Sequence, residues 1–178
     1  IGVARDDGKQ KGEYSNIFYK KDKYEVVQEG TFWLSPTPDS ISKGWDAALN
    51  RVCSYGLFKS KKGKQHIWVF NTHFDHMGKT ARLESARLIV KKIRDLNSKN
   101  YPVVLMGDFN SRPDEPPAQY MMTEMKNARS ISSVVHGDAD TWNGFKFNAK
   151  ADGCIDYIFI PDDKRMKVLK FATLTDSY

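Results

Sequence analysis

The sequence predicts a mixed α/β or α+β protein, and two observations carry this prediction. Short apolar runs bounded by turn residues dominate the chain and pair into hairpins. One longer segment with helical apolar spacing lies between two of these runs, which forms a strand–helix–strand unit from Ile67 to Met106. Such a combination indicates a mixed sheet covered by helices.

Two hairpins are predicted in the first half of the chain. Segments 15–20 and 24–28 flank the polar turn 21–23, and segments 51–58 and 67–72 flank the lysine-rich turn 59–64. Further strands are predicted at 103–106, 155–160 and 168–174.

The helix prediction depends on apolar periodicity. From Thr80 to about Leu96 the apolar residues form one stripe, at Ala86, Ile89, Val90, Ile93 and Leu96. A shorter helix is predicted from Pro117 to Met125. The sequence contains no repeat or linker, so we expect residues 1–178 to form a single domain.

Composition narrows the class of protein only slightly. The net charge of +6 weakly favours polyanionic partners, and no apolar run in the sequence approaches the roughly 20 residues of a membrane span. The isolated Cys53 and Cys154 lack the spacing of a metal site and identify no compartment. No obligate protein partner is predicted.

The segment Gly107–Asn110 directly follows the apolar run 103–106. Residues two apart on a strand point to the same side, so Asp108 and Asn110 are predicted to face one reacting group. A carboxylate can orient water or hold a divalent cation, and an amide can donate to an anionic oxygen. This pair is suited to phosphate chemistry, although an ordinary Asp/Asn turn is the structural alternative.

His73 ends the strand that precedes the predicted helix, as Asp108 ends the strand that follows it. In a right-handed crossover, the carboxyl ends of the two parallel strands meet at the same rim. We therefore expect His73 to lie near Asp108 and Asn110, where an imidazole can act as general acid or base, or can donate to a phosphate oxygen.

The segment Asn71–His76 also suggests an alternative, a zinc hydrolase. It differs from the His-x-His-x-Asp-His pattern of metallo-β-lactamase-type enzymes only at Asn71. Because the chain holds four histidines, and His66 and His136 lie in turn-like contexts, the lost ligand has no evident replacement.

With Asn71–His76, Gly107–Asn110 and Ile155–Phe159 in this order, the chain resembles the endonuclease/exonuclease/phosphatase superfamily. The resemblance extends to segments 2–8, 12–14, 32–35 and 45–51, and it is greatest for small bacterial members. It implies a deoxyribonuclease-I-like fold, in which a two-sheet β-sandwich is flanked by helices in four layers, αββα.

The resemblance also implies roles for individual residues. His73 would donate to the scissile phosphate while Glu13 fixes its tautomer. Asp108 would orient or deprotonate water, and Asn110 would hold the water and the phosphate. Asp156 would be the carboxylate partner of a second histidine. Arg51 would contact the substrate phosphate through its planar guanidinium group.

A further implication is one Mg²⁺ or Mn²⁺ ion on Asp108 and Asn110 that assists water attack on a phosphodiester or phosphomonoester. Family members carry a metal-binding Glu upstream of these motifs and a Ser-Asp-His segment downstream, and residues 1–178 contain neither. We therefore expect the domain to be incomplete at both ends, and the polypeptide 1–178 to be inactive and prone to aggregate. Related bacterial proteins are often exported, but these residues leave the localisation unknown.

The substrate class stays open among nucleic acid, a phospholipid headgroup and a phosphosugar. Trp142 and Phe145, with Trp45, are predicted to form an aromatic wall for a base, sugar or headgroup. A non-catalytic binding module with the same fold is the remaining alternative.

Overall fold

A computed structural model describes residues 1–146 and 148–174. The last residue of the strand predicted at 168–174 is also the last residue that the structure describes. The described elements, in chain order, are β1 Tyr24–Trp33, β2 Val52–Ser60, β3 His66–His73, α1 Lys79–Leu96, β4 Val103–Asp108, α2 Pro116–Glu124, β5 Lys126–Asn127, α3 Ala128–Ile131, β6 Val135–His136, β7 Asp156–Ile160 and β8 Phe171–Ala172.

A large mixed sheet organises the protein, with strand order β1-β2-β3-β4-β7-β5. Strands β3 and β4 pair in parallel across helix α1, whereas the other pairs of this sheet are antiparallel. The short strands β6 and β8 form a separate parallel pair. The α/β fold class predicted from the sequence is therefore confirmed.

The second predicted hairpin is confirmed, since β2 and β3 pair antiparallel around the lysine-rich turn. The first is wrong, because residues 15–20 form no strand and β1 pairs with β2 instead. The backbone N–H of Ile17 donates to the carbonyl of Ile1, and the side chain of Asn71 donates to the carbonyl of Asn16. Apolar patterning identified an extended segment here but could not identify its partners.

Helix α1 confirms the prediction from apolar spacing, and α2 lies within one residue of its predicted bounds. The buried side chains of α1 include Ala86, Ile89 and Val90. They join a core in which the inward residues of the central strands are also buried, among them Phe70 and Leu105. In the described part of the chain no helix is long and apolar enough to cross a membrane.

The two faces of the central sheet differ. Along β4, Val103 and Leu105 are buried against the helices, whereas Val104 and Met106 are only partly covered. Strand β3 repeats this alternation, with Trp68 buried. An apolar groove of about 600 Å³ lies on the more open face and is lined by Ile17, Phe18, Tyr19, Lys20, Tyr24, Phe58, Ile67, Val69 and Met106.

Leu105→Ala tests the assignment of the two faces. Because Leu105 is fully buried, its truncation is expected to lower the free energy of unfolding by about 2–5 kcal/mol. Val104→Ala, one position along the same strand on the open face, is the matched control and should cost much less. Denaturant unfolding of the intact protein measures both, and equal losses would contradict the assignment.

Candidate active site

Three polar residues lie in one row across the central sheet. His73 is the register partner of Asp108 in the parallel β3–β4 pair, and Asp108 is the register partner of Asp156 in the antiparallel β4–β7 pair. The Nε2 atom of His73 lies 3.4 Å from Oδ2 of Asp108. The expectation that the crossover brings His73 beside Asp108 is thus met by the structure.

This row borders a shallow groove of about 420 Å³ on the open face of the sheet. The groove is lined by Tyr14, Ser15, Asn71, Thr72, His73, Met106, Gly107, Asp108, Asp156, Tyr157 and Ile158. Unlike the larger apolar groove, it combines an imidazole with two carboxylates. Clustered titratable groups in a cleft are typical of functional sites.

Gly107 allows the strands to approach each other at this row. Its φ is +147°, and a Cβ atom built on it would lie 2.0 Å from the carbonyl oxygen of Thr72. Any side chain at this position would therefore force β3 and β4 apart, immediately before the position of Asp108.

The surroundings of Asp108 disfavour the ionised form of its carboxyl group. Burial raises its pKa from 3.8 to about 6, and the negative charge of Asp156 acts in the same direction. The backbone N–H of Asn110, which donates to Oδ1 of Asp108, and the positive charge of Arg51 oppose this rise. The group therefore titrates near neutral pH, as suits a residue that handles protons or cations.

His73 is held in its neutral form. Burial and, second, the positive charge of Arg51 lower its pKa from 6.5 to about 4. Its Nδ1 atom lies 3.5 Å from Oε2 of Glu13, on the side of the ring away from Asp108. The carboxylates of Glu13 and Asp108 thus flank a neutral imidazole that has a single N–H group. Only one of the two carboxylates can accept a hydrogen bond from it.

Glu13 contacts two arginines as well as His73. Its side chain is 60% exposed, and Oε2 accepts a hydrogen bond from Arg5 and lies 3.7 Å from Nη1 of Arg51. Arg5 was not among the residues predicted from the sequence. A buried arginine on an irregular segment has no periodic pattern that would identify it.

Arg51 is buried, with its side chain only 5% exposed. Its Nη2 contacts Nδ1 of His76 at 3.2 Å, and its Nε lies 3.6 Å from Asp75. The contact of Arg51 with a substrate phosphate stays a prediction. In the structure its nearest charged neighbours are protein carboxylates.

Asn110 follows the end of β4 and does not line the groove. Strand β4 ends at Asp108, and Asn110 has a left-handed φ of 45°. Its side-chain Nδ2 donates to the carbonyl of Phe74 at 2.9 Å, which ties the end of β4 to the end of β3. The same-side argument for Asp108 and Asn110 was therefore wrong, since Asn110 lies beyond the end of the strand.

Asp75 does not act as the ligand that the zinc alternative requires. Its carboxylate is buried and accepts the backbone N–H groups of Ala48, Leu49, Met77 and Gly78. Burial raises the pKa of Asp75, but these hydrogen bonds outweigh burial and hold the pKa well below the usual range. The residue thus anchors the loop before β2 to the end of β3, a role that sequence reasoning missed.

The donor set fits a hard divalent cation better than zinc. No group of three His, Cys, Asp or Glu residues that could hold a metal lies within residues 1–146 and 148–174. Asp108 and Asp156 are neighbouring carboxylates, and neither forms an ion pair with a lysine or arginine among the described residues. Mg²⁺ commonly takes one or two carboxylates and completes its shell with water and phosphate oxygens.

The predicted aromatic residues divide into two groups. Trp142 and Phe145 pack edge to face, with ring centroids 4.7 Å apart, and Phe145 is 91% exposed. Thr141, next to Trp142, accepts the backbone N–H of Asp156 and so joins this segment to the row of His73, Asp108 and Asp156. Trp45 instead lines a different groove, beside Glu84 of α1, and does not belong to the predicted wall.

Cys53 and Cys154 are both buried and free. Burial raises the pKa of each thiol, which disfavours the thiolate. Neither residue has the properties of a nucleophile.

The fold is that of the deoxyribonuclease-I-like class. Residues 17–170 match the endonuclease/exonuclease/phosphatase family, and the chain belongs to that family. A search of curated proteins found no match.

Solved structures support the same assignment. The chain is 42% identical to a mannosyl-6-phosphatase from Bacteroides thetaiotaomicron VPI-5482, with a TM-score of 0.92 over 100% of this chain and 67% of that one. A functionally unknown conserved protein from Enterococcus faecalis V583 is 30% identical, with a TM-score of 0.88 over 100% and 69% of the two chains. The chain thus spans about two thirds of the length of these relatives.

The catalytic domain of human Nocturnin, solved with a bound sulfate, resembles the chain in fold alone. Its identity is 14% and its TM-score is 0.61, over 81% of this chain and 50% of that one.

Asp108→Asn tests the electrostatic cost of the carboxylate. Because the folded-state pKa of Asp108 is raised from 3.8 to about 6, wild-type stability should fall as the pH rises through this window. Asn cannot ionise, so the stability of the variant relative to wild type should increase from about pH 4 to about pH 7. Thermal unfolding without divalent cations measures the difference.

The matched control is Asp95→Asn, which changes an exposed carboxylate on α1. A difference between Asp108→Asn and wild type that stays constant with pH would contradict the raised pKa.

Proposed function

We propose that the chain forms the catalytic region of a divalent-metal-dependent phosphohydrolase that cleaves a phosphoester by water attack. The row of His73, Asp108 and Asp156 is the observation that supports this proposal most strongly. Family membership supports the reaction class, and the residue roles below follow from the contacts of each side chain.

Asp108 is proposed as the group that orients and deprotonates the attacking water. A pKa near neutrality allows a carboxylate to accept a proton from water that is activated in the site. The amide of Asn110 has its Nδ2 engaged with Phe74, which leaves Oδ1 to contact the water or a cation.

His73 is proposed to contact the phosphate through Nε2 while Glu13 accepts a hydrogen bond from Nδ1–H. In the neutral ring this tautomer makes Nε2 an acceptor. The negative charge of a bound phosphate favours the imidazolium form, and Nε2 then becomes a donor to a phosphate oxygen. Asp156 supplies a second carboxylate at the same rim, and the positive charge of Arg51 acts on both His73 and Asp108.

Asp108 and Asn110 are the residues proposed to hold Mg²⁺ or Mn²⁺. When bound, such a cation would polarise a phosphoryl oxygen and offset charge that develops during the displacement. It would also relieve the repulsion between Asp108 and Asp156.

For the substrate we propose a phosphosugar monoester. The name of the 42% identical relative, a mannosyl-6-phosphatase, favours this class. The exposed pair Trp142 and Phe145 supports it, since an aromatic face can pack against the apolar face of a sugar ring. The net charge of +6 keeps nucleic acid as the alternative substrate.

Asp108→Ala and His73→Ala are each expected to lower kcat for phosphate release by about 10²-fold or more, because each removes a group that acts on the reacting atoms. Mg²⁺-dependent phosphate release from the intact protein is the measurement. Asp95→Ala, at an exposed position on α1, should retain wild-type activity. A folded wild-type protein that hydrolyses no phosphomonoester or phosphodiester would contradict the proposal.

Trp142→Ala and Phe145→Ala should each lower kcat/KM for mannose 6-phosphate by about tenfold, because a stacking surface for the sugar ring is lost. Hydrolysis of glycerol phosphate, which has no ring, should change far less. Phe18→Ala is the matched control, since Phe18 is an equally exposed aromatic residue on the other groove. Equal effects on both substrates would refute a role in ring recognition.

A further inference from the structure

Arg5 is a buried arginine near the catalytic row, with no role in the reaction outlined above. Its side chain is 9% exposed, and its Nη1 donates to Oε2 of Glu13. The backbones are joined as well, since the N–H of Arg5 donates to the carbonyl of Glu13 at 3.0 Å. Arg5 and Glu13 therefore form one local unit through both main chain and side chain.

Arg51 approaches the same carboxylate oxygen from the core side, at 3.7 Å. Within the described residues, the Nε atoms of Arg5 and Arg51 have no hydrogen-bond partner. Two buried guanidinium groups repel each other and are costly to desolvate, so a carboxylate between them is strongly favoured. Glu13 is shared by both arginines, whereas the additional partner of Arg51, Asp75, is anchored in the loop.

This arrangement restrains a side chain that would otherwise be mobile. Glu13 is 60% exposed, and an exposed glutamate samples many rotamers unless a partner holds it. The oxygen that Arg5 holds is the one that lies 3.5 Å from Nδ1 of His73. The orientation of Glu13, and through it the proton on His73, thus depends on a residue that does not line the groove.

We propose that Arg5 is a positioning residue that holds Glu13 against His73 and so maintains the Nδ1–H tautomer, with Nε2 directed toward the groove. The inference rests on the proposed function. Arg5 acts through Glu13 and does not line the groove that contains Asp108, so its loss should affect the chemical step more than substrate binding.

Arg51 does not replace Arg5 in this role. It is already engaged by His76 and lies farther from Oε2 of Glu13. An arginine presents a planar fork, whereas a lysine presents a point charge, so Arg5→Lys should maintain the tautomer only in part.

The test uses the intact protein and two readouts. The first is the ¹⁵N chemical shifts of the His73 ring at about pH 7.5, because these shifts distinguish the two tautomers. Wild type should show a protonated Nδ1, and Arg5→Met a mixture of tautomers. The second readout is kcat and KM for phosphate release, where Arg5→Met should lower kcat about tenfold with KM nearly unchanged.

Arg82→Met is the matched control. Arg82 is also buried and ion-paired, but its partner is Glu115 and it does not contact Glu13. This variant should lose stability while it keeps the wild-type tautomer and kcat. A change of tautomer in Arg82→Met as large as in Arg5→Met would overturn the proposal. It would indicate that any loss of protein stability alters the His73 tautomer.

A pure Nδ1–H tautomer with wild-type kcat in Arg5→Met would overturn the proposal too. If Arg5→Met does not fold, Arg5→Gln, which keeps a polar side chain at this position, is judged by the same readouts. Wild-type protein without phosphohydrolase activity would refute the proposed function. The ring shifts would still decide whether Arg5 controls the tautomer.

Discussion

The parallel pairing of β3 with β4 is the interaction on which the site depends. It sets His73 opposite Asp108, and antiparallel pairing with β7 extends the row to Asp156. The inward residues of the same strands, Leu105 among them, are buried beneath α1 and α2. Core packing therefore specifies the register, and the register places the polar groups on the open face.

Charge in the site is divided between residues that line the groove and residues that do not. Carboxylates of Asp108 and Asp156 line the groove, whereas the guanidinium groups of Arg5 and Arg51 do not line it and both contact Glu13. Burial opposes ionisation of the groove residues, which raises the pKa of Asp108 and lowers that of His73.

Sequence patterning predicted the elements with strong periodicity, namely α1 and the β2–β3 hairpin. It also predicted the proximity of His73 and Asp108, because crossover handedness leaves one arrangement. It failed for residues 15–20, where an extended segment binds partners distant in the chain. Arg5 and the N–H contacts of Asp75 were equally inaccessible, since irregular backbone carries no period from which contacts can be deduced.

Strand β4, which contains Gly107 and Asp108, limits where residues can be inserted into or deleted from this protein. Strand side chains alternate, so deleting or inserting one residue within β4 would exchange the buried and open faces and move Asp108 out of the row. Loops beyond the row are not subject to this constraint, and the segment that carries Trp142 and Phe145 is one of them. Insertions and deletions should therefore accumulate in the loops around the row, while the strand ends that form the row keep their length.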